Sequence, residues 1–464
     1  MRSILLHALM VGLGSVSVLG CSGSEGADWE PTAAGQHPLY LEGTKWPNGV
    51  VPVCWSATSQ AHADFAAIAR RVQDVLNMSW PAFANIEFTG WGNCPANTNG
   101  MVQININDDG NGNANVGYNG NVTHTVNLGF LRSDFYGSLV PHEFGHILGF
   151  GHEMERPDFN DPDCADAPIP GGDTLGTPSD PNSIMASTGY CQQNPLLSRW
   201  DIVGARNAYG TRAENVVSVG TTLYARKRST GDLYVQTSSG WTKVGGPGAQ
   251  FVAVGSTLYG LEPDGAHVRK YTGTGTSWGT VGGATRDIFR CTSHLCATNP
   301  DTGDAYLLIS GSSWTHIGGQ AAMYASTETD LYRLTLDRSA VEHYTGGTSW
   351  SQVGGAAGFV FATTDTLFAT DPDTGDIHRY SGGSWSTAGH GGRTFVGVGS
   401  TLYGLAPDRS SVQKYSGSGT SWSRIGSGAD WLYGGESGSL YATAPGTFDI
   451  NRYTGSGWVN KGQP

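Results

Sequence analysis

Apolar residues at Phe65, Ile68, Val72 and Leu76 recur every three or four positions, which predicts a long helix over residues 61–76. Strict alternation in Val102-Gln103-Ile104-Asn105-Ile106 predicts a half-buried strand, and residues 125–131 read as a second strand. A Gly- and Asn-rich stretch over 108–120 separates these two strands as a loop, and a further helix is expected to open near Phe135 or Tyr136. Residues 158–181 are rich in Pro and Asp and read as loop.

From about Asn215 the pattern becomes an internal repeat. One copy runs from Val254-Gly255-Ser256-Thr257-Leu258-Tyr259 through Lys270-Tyr271 to Trp278. Another runs from Val398-Gly399-Ser400-Thr401-Leu402-Tyr403 through Lys414-Tyr415 to Trp422. The marker tryptophans are Trp241, Trp278, Trp314, Trp350, Trp385, Trp422 and Trp458, which sets seven units of about 36 residues. Each unit holds four short strand-like runs between Gly- and Asp-containing turns, as the blade of a β-propeller does. A repeated Tyr and Trp per blade reads first as packing between blades. Asn299-Pro300-Asp301-Thr302-Gly303-Asp304 and Asp371-Pro372-Asp373-Thr374-Gly375-Asp376 read as hairpin turns in preference to calcium loops.

Composition agrees with this division. The chain has 464 residues, too many for one small core, with 69 glycines and only 14% charged residues, which favours turn-rich β structure. A net charge of −13 with no basic cluster argues against a nucleic-acid partner. Residues 1–20 read as an export signal, with Arg2 before a short apolar run. Val18-Leu19-Gly20-Cys21 reads as a lipobox, with Cys21 as the acylated residue. Residues 21–45, rich in Ser, Gly and Ala, read as a lipidated N-terminus and linker. No later segment is long and apolar enough to span a bilayer, so a membrane is met only through the lipid. The expected location is the outer membrane or cell surface of a bacterium, with plain secretion as the alternative. Six further cysteines, an even number behind an export signal, read as disulfides paired Cys54–Cys94, Cys164–Cys191 and Cys291–Cys296.

The candidate chemistry lies in His142-Glu143-Phe144-Gly145-His146-Ile147-Leu148-Gly149-Phe150-Gly151-His152. On a helix His142 and His146 share one face, a turn apart, and can hold one Zn²⁺. Glu143 is placed as general base toward a water activated by the metal. Gly149 falls where a helix ends in a left-handed residue, letting the chain return His152 as third ligand.

The pattern His-Glu-x-x-His-x-x-Gly-x-x-His is that of the metzincin zinc peptidases. Its continuation through Glu153, Arg156 and Asp158 resembles the astacin family of secreted endopeptidases. Trp46-Pro47-Asn48-Gly49-Val50-Val51-Pro52-Val53 resembles the first strand of an astacin-type enzyme, and Ser183-Ile184-Met185 the Met-turn, with Met185 beneath the metal. Residues 197–210 resemble the C-terminal helix of such domains. The resemblance covers residues 46–212 and implies an α+β metzincin catalytic domain, followed over 213–464 by an all-β propeller of seven blades. The repeats resemble tectonin and tachylectin-type propellers, which implies a glycan or cell-surface polymer as propeller partner. Astacins carry a tyrosine two residues after the Met-turn methionine, where this chain has Ser187. Tyr190 is the candidate to supply the missing phenol. The expected function is a zinc endopeptidase acting on a protein or peptide, with substrate extended along the 113–117 region. The alternative is a lectin or adhesin that uses the propeller and keeps the protease fold as scaffold.

Overall fold

The computed structural model describes residues 39–107, 112–129, 136–159, 168–186, 196–212, 216–435 and 438–464. Cys21, Cys164, Ser187, Tyr190 and Cys191 lie outside these residues, and with them the lipidation site, the candidate phenol and the Cys164–Cys191 pair.

The N-terminal part is built on one five-stranded sheet. Its strands are β1 (Val50–Trp55), β2 (Glu87–Asn93), β3 (Val102–Asn107), β4 (Asn113–Ala114) and β5 (His124–Gly129), in the order β2-β1-β3-β5-β4. All neighbours are parallel except the edge strand β4, which runs antiparallel to β5. The predicted strand over 125–131 is realised as His124–Gly129. β2 is not legible as an alternating run, because Gly90 and Gly92 interrupt it and Gly90 takes φ +98°.

The helices are α1 (Ala57–Gln60), α2 (Phe65–Asn77), α3 (Trp80–Phe83), α4 (Tyr136–Ile147) and α5 (Arg199–Tyr209). The helix expected over 61–76 starts later. The Ser56 side chain caps α1 by accepting from Ser59 N, and the chain turns at residues 61–64 before α2. α2 then buries Ile68, Val72, Val75 and Leu76 against a core shared with Val53, Phe144 and Ile147. Residues 39–45 are not linker in the structure. Leu39 and Tyr40 are fully buried, and Leu41 bridges to both Phe150 and Asp173, because these apolar side chains complete the core around α4. Cys54 and Cys94 form a disulfide joining β1 to the end of β2.

The larger part of the molecule is a seven-bladed all-β propeller. Seven four-stranded antiparallel sheets span residues 216–247, 250–282, 288–318, 323–354, 360–389, 394–427 and 431–462, each built from four consecutive strands. Cys291 and Cys296 pair within the third blade. The marker tryptophans open the outermost strands and latch neighbouring blades together. Trp314 Nε1 donates to Val281 O at 2.8 Å, and Trp278, Trp350, Trp385, Trp422 and Trp458 repeat the bond to the preceding blade. The accepting strand must let the indole in: a β-carbon on Gly282 would lie 3.0 Å from the Trp314 ring. These tryptophans are therefore packing residues. In the two Asp-rich loops, Asn299 and Asp371 accept backbone N–H groups two and three residues on, as ordinary hairpin turns do.

The N-terminal part docks on the propeller through arginines. Arg71 pairs with Asp373 at 2.6 Å, Arg409 with Glu87 at 2.7 Å, and Arg199 Nε donates to Asp264 O at 2.8 Å. Asp74 of α2 is buried in this contact, so close to Gly358 that a β-carbon there would approach its Oδ2 to 2.6 Å. Burial raises its carboxyl to about 7, against the opposing pull of Arg338, Arg70 and Arg393. A carboxyl raised on folding contributes stability below its unfolded value of 3.8 and loses it as pH rises through about 7. Asp74→Asn is therefore expected to raise Tm above neutral pH. The gain should shrink to nothing as pH falls toward about 4, a profile that calorimetry across pH measures.

Candidate active site

His142, Glu143 and His146 all lie on α4 and are buried, the two imidazoles with ring centroids 4.8 Å apart. After α4 the chain reverses at Gly149, whose φ of +97° places it in the left-handed region, and Gly149 N bonds to His146 O at 2.8 Å. That turn brings His152 to 4.7 Å from His146 and 5.3 Å from His142, centroid to centroid. One ring nitrogen from each of the three lies within 4.8 Å of the others.

Backbone carbonyls set the tautomers. His142 Nδ1 lies 2.8 Å from Ile184 O, and His146 Nδ1 2.8 Å from Phe150 O. A carbonyl only accepts, so each Nδ1 carries the proton and each Nε2 keeps a free lone pair. His152 Nδ1 stands 3.5 Å from Glu155 Oε1. Burial pulls His142 down to about 4 and His146 well below the usual imidazole range, so both are neutral at neutral pH. That is the form in which imidazole binds a metal ion. Glu143 is buried, its Oε2 has no hydrogen-bond partner, and burial raises its carboxyl to about 8. A cation beside it would pull that value back down. Three imidazole nitrogen donors with an unpartnered carboxyl oxygen next to them fit Zn²⁺ with an open position.

Met185 is fully buried and seated against α4 at Gly145, where a β-carbon would lie 2.3 Å from its sulfur. Its segment is tied down by Asp201, which accepts from Ser183 Oγ and, at 2.8 Å each, from Ile184 N and Ser198 N. Ser198 and Asp201 also form the capping box of α5. One carboxylate thus starts α5 and fixes the carbonyl that orients His142. Asp201 is absent from the residues singled out in the sequence, although Ser198-x-x-Asp201 ahead of an apolar run is a legible helix start.

The residues following His152 are structural. Buried Arg156 pairs with Glu153 at 3.4 Å, donates twice to Asp158 at 2.9 Å and bonds Thr177 Oγ1 at 2.8 Å. Glu153 in turn accepts from Asp180 N. This network holds the loop that delivers His152. The edge strand β4 follows Gly112, where a β-carbon would lie 2.3 Å from Glu143 Oε1, so the open sheet edge runs past the Glu143 carboxyl.

The fold and this cluster define a propeller protein whose N-terminal part carries a three-histidine metal-type site. By sequence, no family model and no curated protein matches the chain. Among solved structures, myroilysin aligns at 20% identity over 37% of this chain and 97% of its own, with a TM-score of 0.26. A puromycin-hydrolysing peptidase of Mycobacterium tuberculosis aligns at 11% identity over 53% of each chain, with a TM-score of 0.41. YCF48 bound to D1 peptide aligns at 13% identity over 50% of this chain and 86% of its own, with a TM-score of 0.35. Identity this low carries no chemistry from those proteins to this one.

Proposed function

We propose that the chain is a zinc-dependent endopeptidase of the metzincin type, similar to astacin. The observation that carries this reading is the convergence of His142, His146 and His152 beside the unpartnered carboxylate of Glu143. Bound zinc would supply Lewis acidity toward the scissile carbonyl and the attacking water. Glu143 accepts the proton of that water and delivers it to the departing amine. The free edge of β4 offers backbone groups to an extended peptide, and Tyr190 is the proposed phenol toward the developing oxyanion. Lipid attachment at Cys21 and a propeller that holds a glycan or surface polymer belong to the same proposal, placing the peptidase at a bacterial surface. Among the described residues no helix is long and apolar enough to cross a membrane.

The test is metal content together with cleavage. The purified full chain is expected to carry about one zinc ion, as a three-histidine site does, and to cleave a peptide library. Cleavage should stop with a chelator and return with zinc. A chain that takes up no zinc, or cleaves equally well after chelation, sinks the reading.

A further inference from the structure

A cavity of about 920 Å³ lies between the propeller and the N-terminal part. Its floor is the mouth of the propeller channel, formed by the first residues of six innermost strands: Gln250, Ile288, Met323, Val360, Thr394 and Trp431. Its roof is Pro81, Ala82 and Phe83 of α3 with the residues that follow. It does not touch the histidine cluster.

The lining charge is opposite in sign to that of the chain. Five arginines (Arg212, Arg228, Arg286, Arg393, Arg409) face three carboxylates (Glu87, Asp287, Asp430), in a protein of net charge −13. Most of these cations are accounted for. Arg409 pairs with Glu87 at 2.7 Å and reaches Asp430 at 3.9 Å. Arg212 stacks 3.8 Å over Trp431, and Arg228 3.3 Å over Phe448. Two guanidiniums make no side-chain hydrogen bond among the described residues. Arg286 reaches Asp287 only at 3.9 Å, and its buried Nε has no hydrogen-bond partner. Arg393 donates no side-chain hydrogen bond and forms no ion pair among the described residues. Burial and the neighbouring Arg409 push it down to about 10 against the pull of Glu87 and Asp74, so it stays charged at neutral pH.

Beside these cations stand flat apolar walls. Phe361 stacks on Phe395 with centroids 4.7 Å apart and 12° between the planes, and Phe289 stacks on Tyr324 at 4.6 Å and 9°. Arg393 stands just before the strand that carries Phe395 (Thr394–Val398), and Arg393, Phe361 and Phe395 line the same cavity. A partly buried guanidinium whose N–H groups make no hydrogen bond is costly, and an oxyanion meets its fork with two parallel hydrogen bonds.

We propose that this cavity binds an amphipathic organic oxyanion, a carboxylate or phosphate head on Arg393 with a flat apolar body against the Phe361–Phe395 stack. Arg286 offers a second donor within the same cavity. The site stands apart from the zinc chemistry and does not depend on it.

The experiment is calorimetric titration of the full chain, metal-loaded and chelator-treated, with three probes. These are N-acetyl-phenylalanine, phenyl phosphate and the neutral N-acetyl-phenylalaninamide. At least one anion is expected to saturate a site equally in both metal states and to bind about tenfold or more tightly than the amide. Which anion does so separates carboxylate from phosphate. Arg393→Gln should weaken that anion by about 10- to 100-fold, the loss of a charge-assisted pair. Ala82→Trp, which fills the cavity from the roof and leaves the arginines intact, should abolish binding and serves if the arginine variant does not fold. Equal affinity for anion and amide, no saturable binding of either anion, or unchanged binding in either variant would overturn the proposal.

Discussion

Glu143→Ala is expected to lower kcat by about 100- to 10,000-fold while zinc content stays at the wild-type level. The side chain is not among the three nitrogen donors, so its loss leaves the metal cluster whole. It removes the carboxylate proposed to accept the water proton, and α4 carries no other carboxylate. Stability should not fall with activity. Glu143 Oε2 makes no hydrogen bond in its buried position, and burial already raises the carboxyl to about 8, so the fold gains little from it. Measuring kcat, zinc by mass spectrometry and Tm on one preparation separates the outcomes. Near wild-type kcat in that variant removes the assigned base.

Asp201→Ala should damage the site from a distance. Asp201 is buried and takes three hydrogen bonds, from Ser183 Oγ, Ile184 N and Ser198 N. Its removal leaves Ile184 N without a buried acceptor and takes the capping box from α5. A loss of about 2–4 kcal/mol in unfolding free energy is expected from those orphaned donors. Ile184 O is also what holds the His142 tautomer, so zinc affinity should fall by about 10- to 100-fold, as when a partner behind a metal ligand is removed. Asp201→Asn keeps the shape and two of the acceptor contacts and should recover most of the affinity. Competition against a zinc-binding dye reads this directly. A variant that is destabilised yet binds zinc as tightly as wild type would confine Asp201 to a structural part.

What could be read from the chain follows from the range of the forces involved. The propeller is local: each blade is four consecutive strands, so a tryptophan period and turn residues carry its architecture. The His142, His146, Gly149 and His152 spacing is local too, since helix geometry and one left-handed residue bring the rings together. The rest depends on backbone groups or distant partners. Ile184 O and Phe150 O orient the imidazoles, and any residue type supplies a carbonyl. Tyr40 is buried because its hydroxyl finds Ile169 O across the domain, which a Ser- and Gly-rich neighbourhood does not announce. β2 escaped because two glycines break its alternation, and Asp74 because its burial arises only when α2 meets the propeller.

The tryptophan latches also say where the ring would come apart. Six indoles each reach the carbonyl three residues past the preceding marker tryptophan. By that rule Trp241 would take Lys461 O, but Gln236 Nε2 takes it instead, at 2.9 Å. At the joint between the last blade and the first the indole of Trp241 still packs in the apolar cluster, but the latching hydrogen bond comes from a flexible amide. A circle with six like joints and one unlike joint has a preferred breaking point under load. Tension on the C-terminus is delivered to the last blade, which borders that joint. Mechanical unravelling should therefore begin there and strip blades in reverse chain order, each indole released in turn.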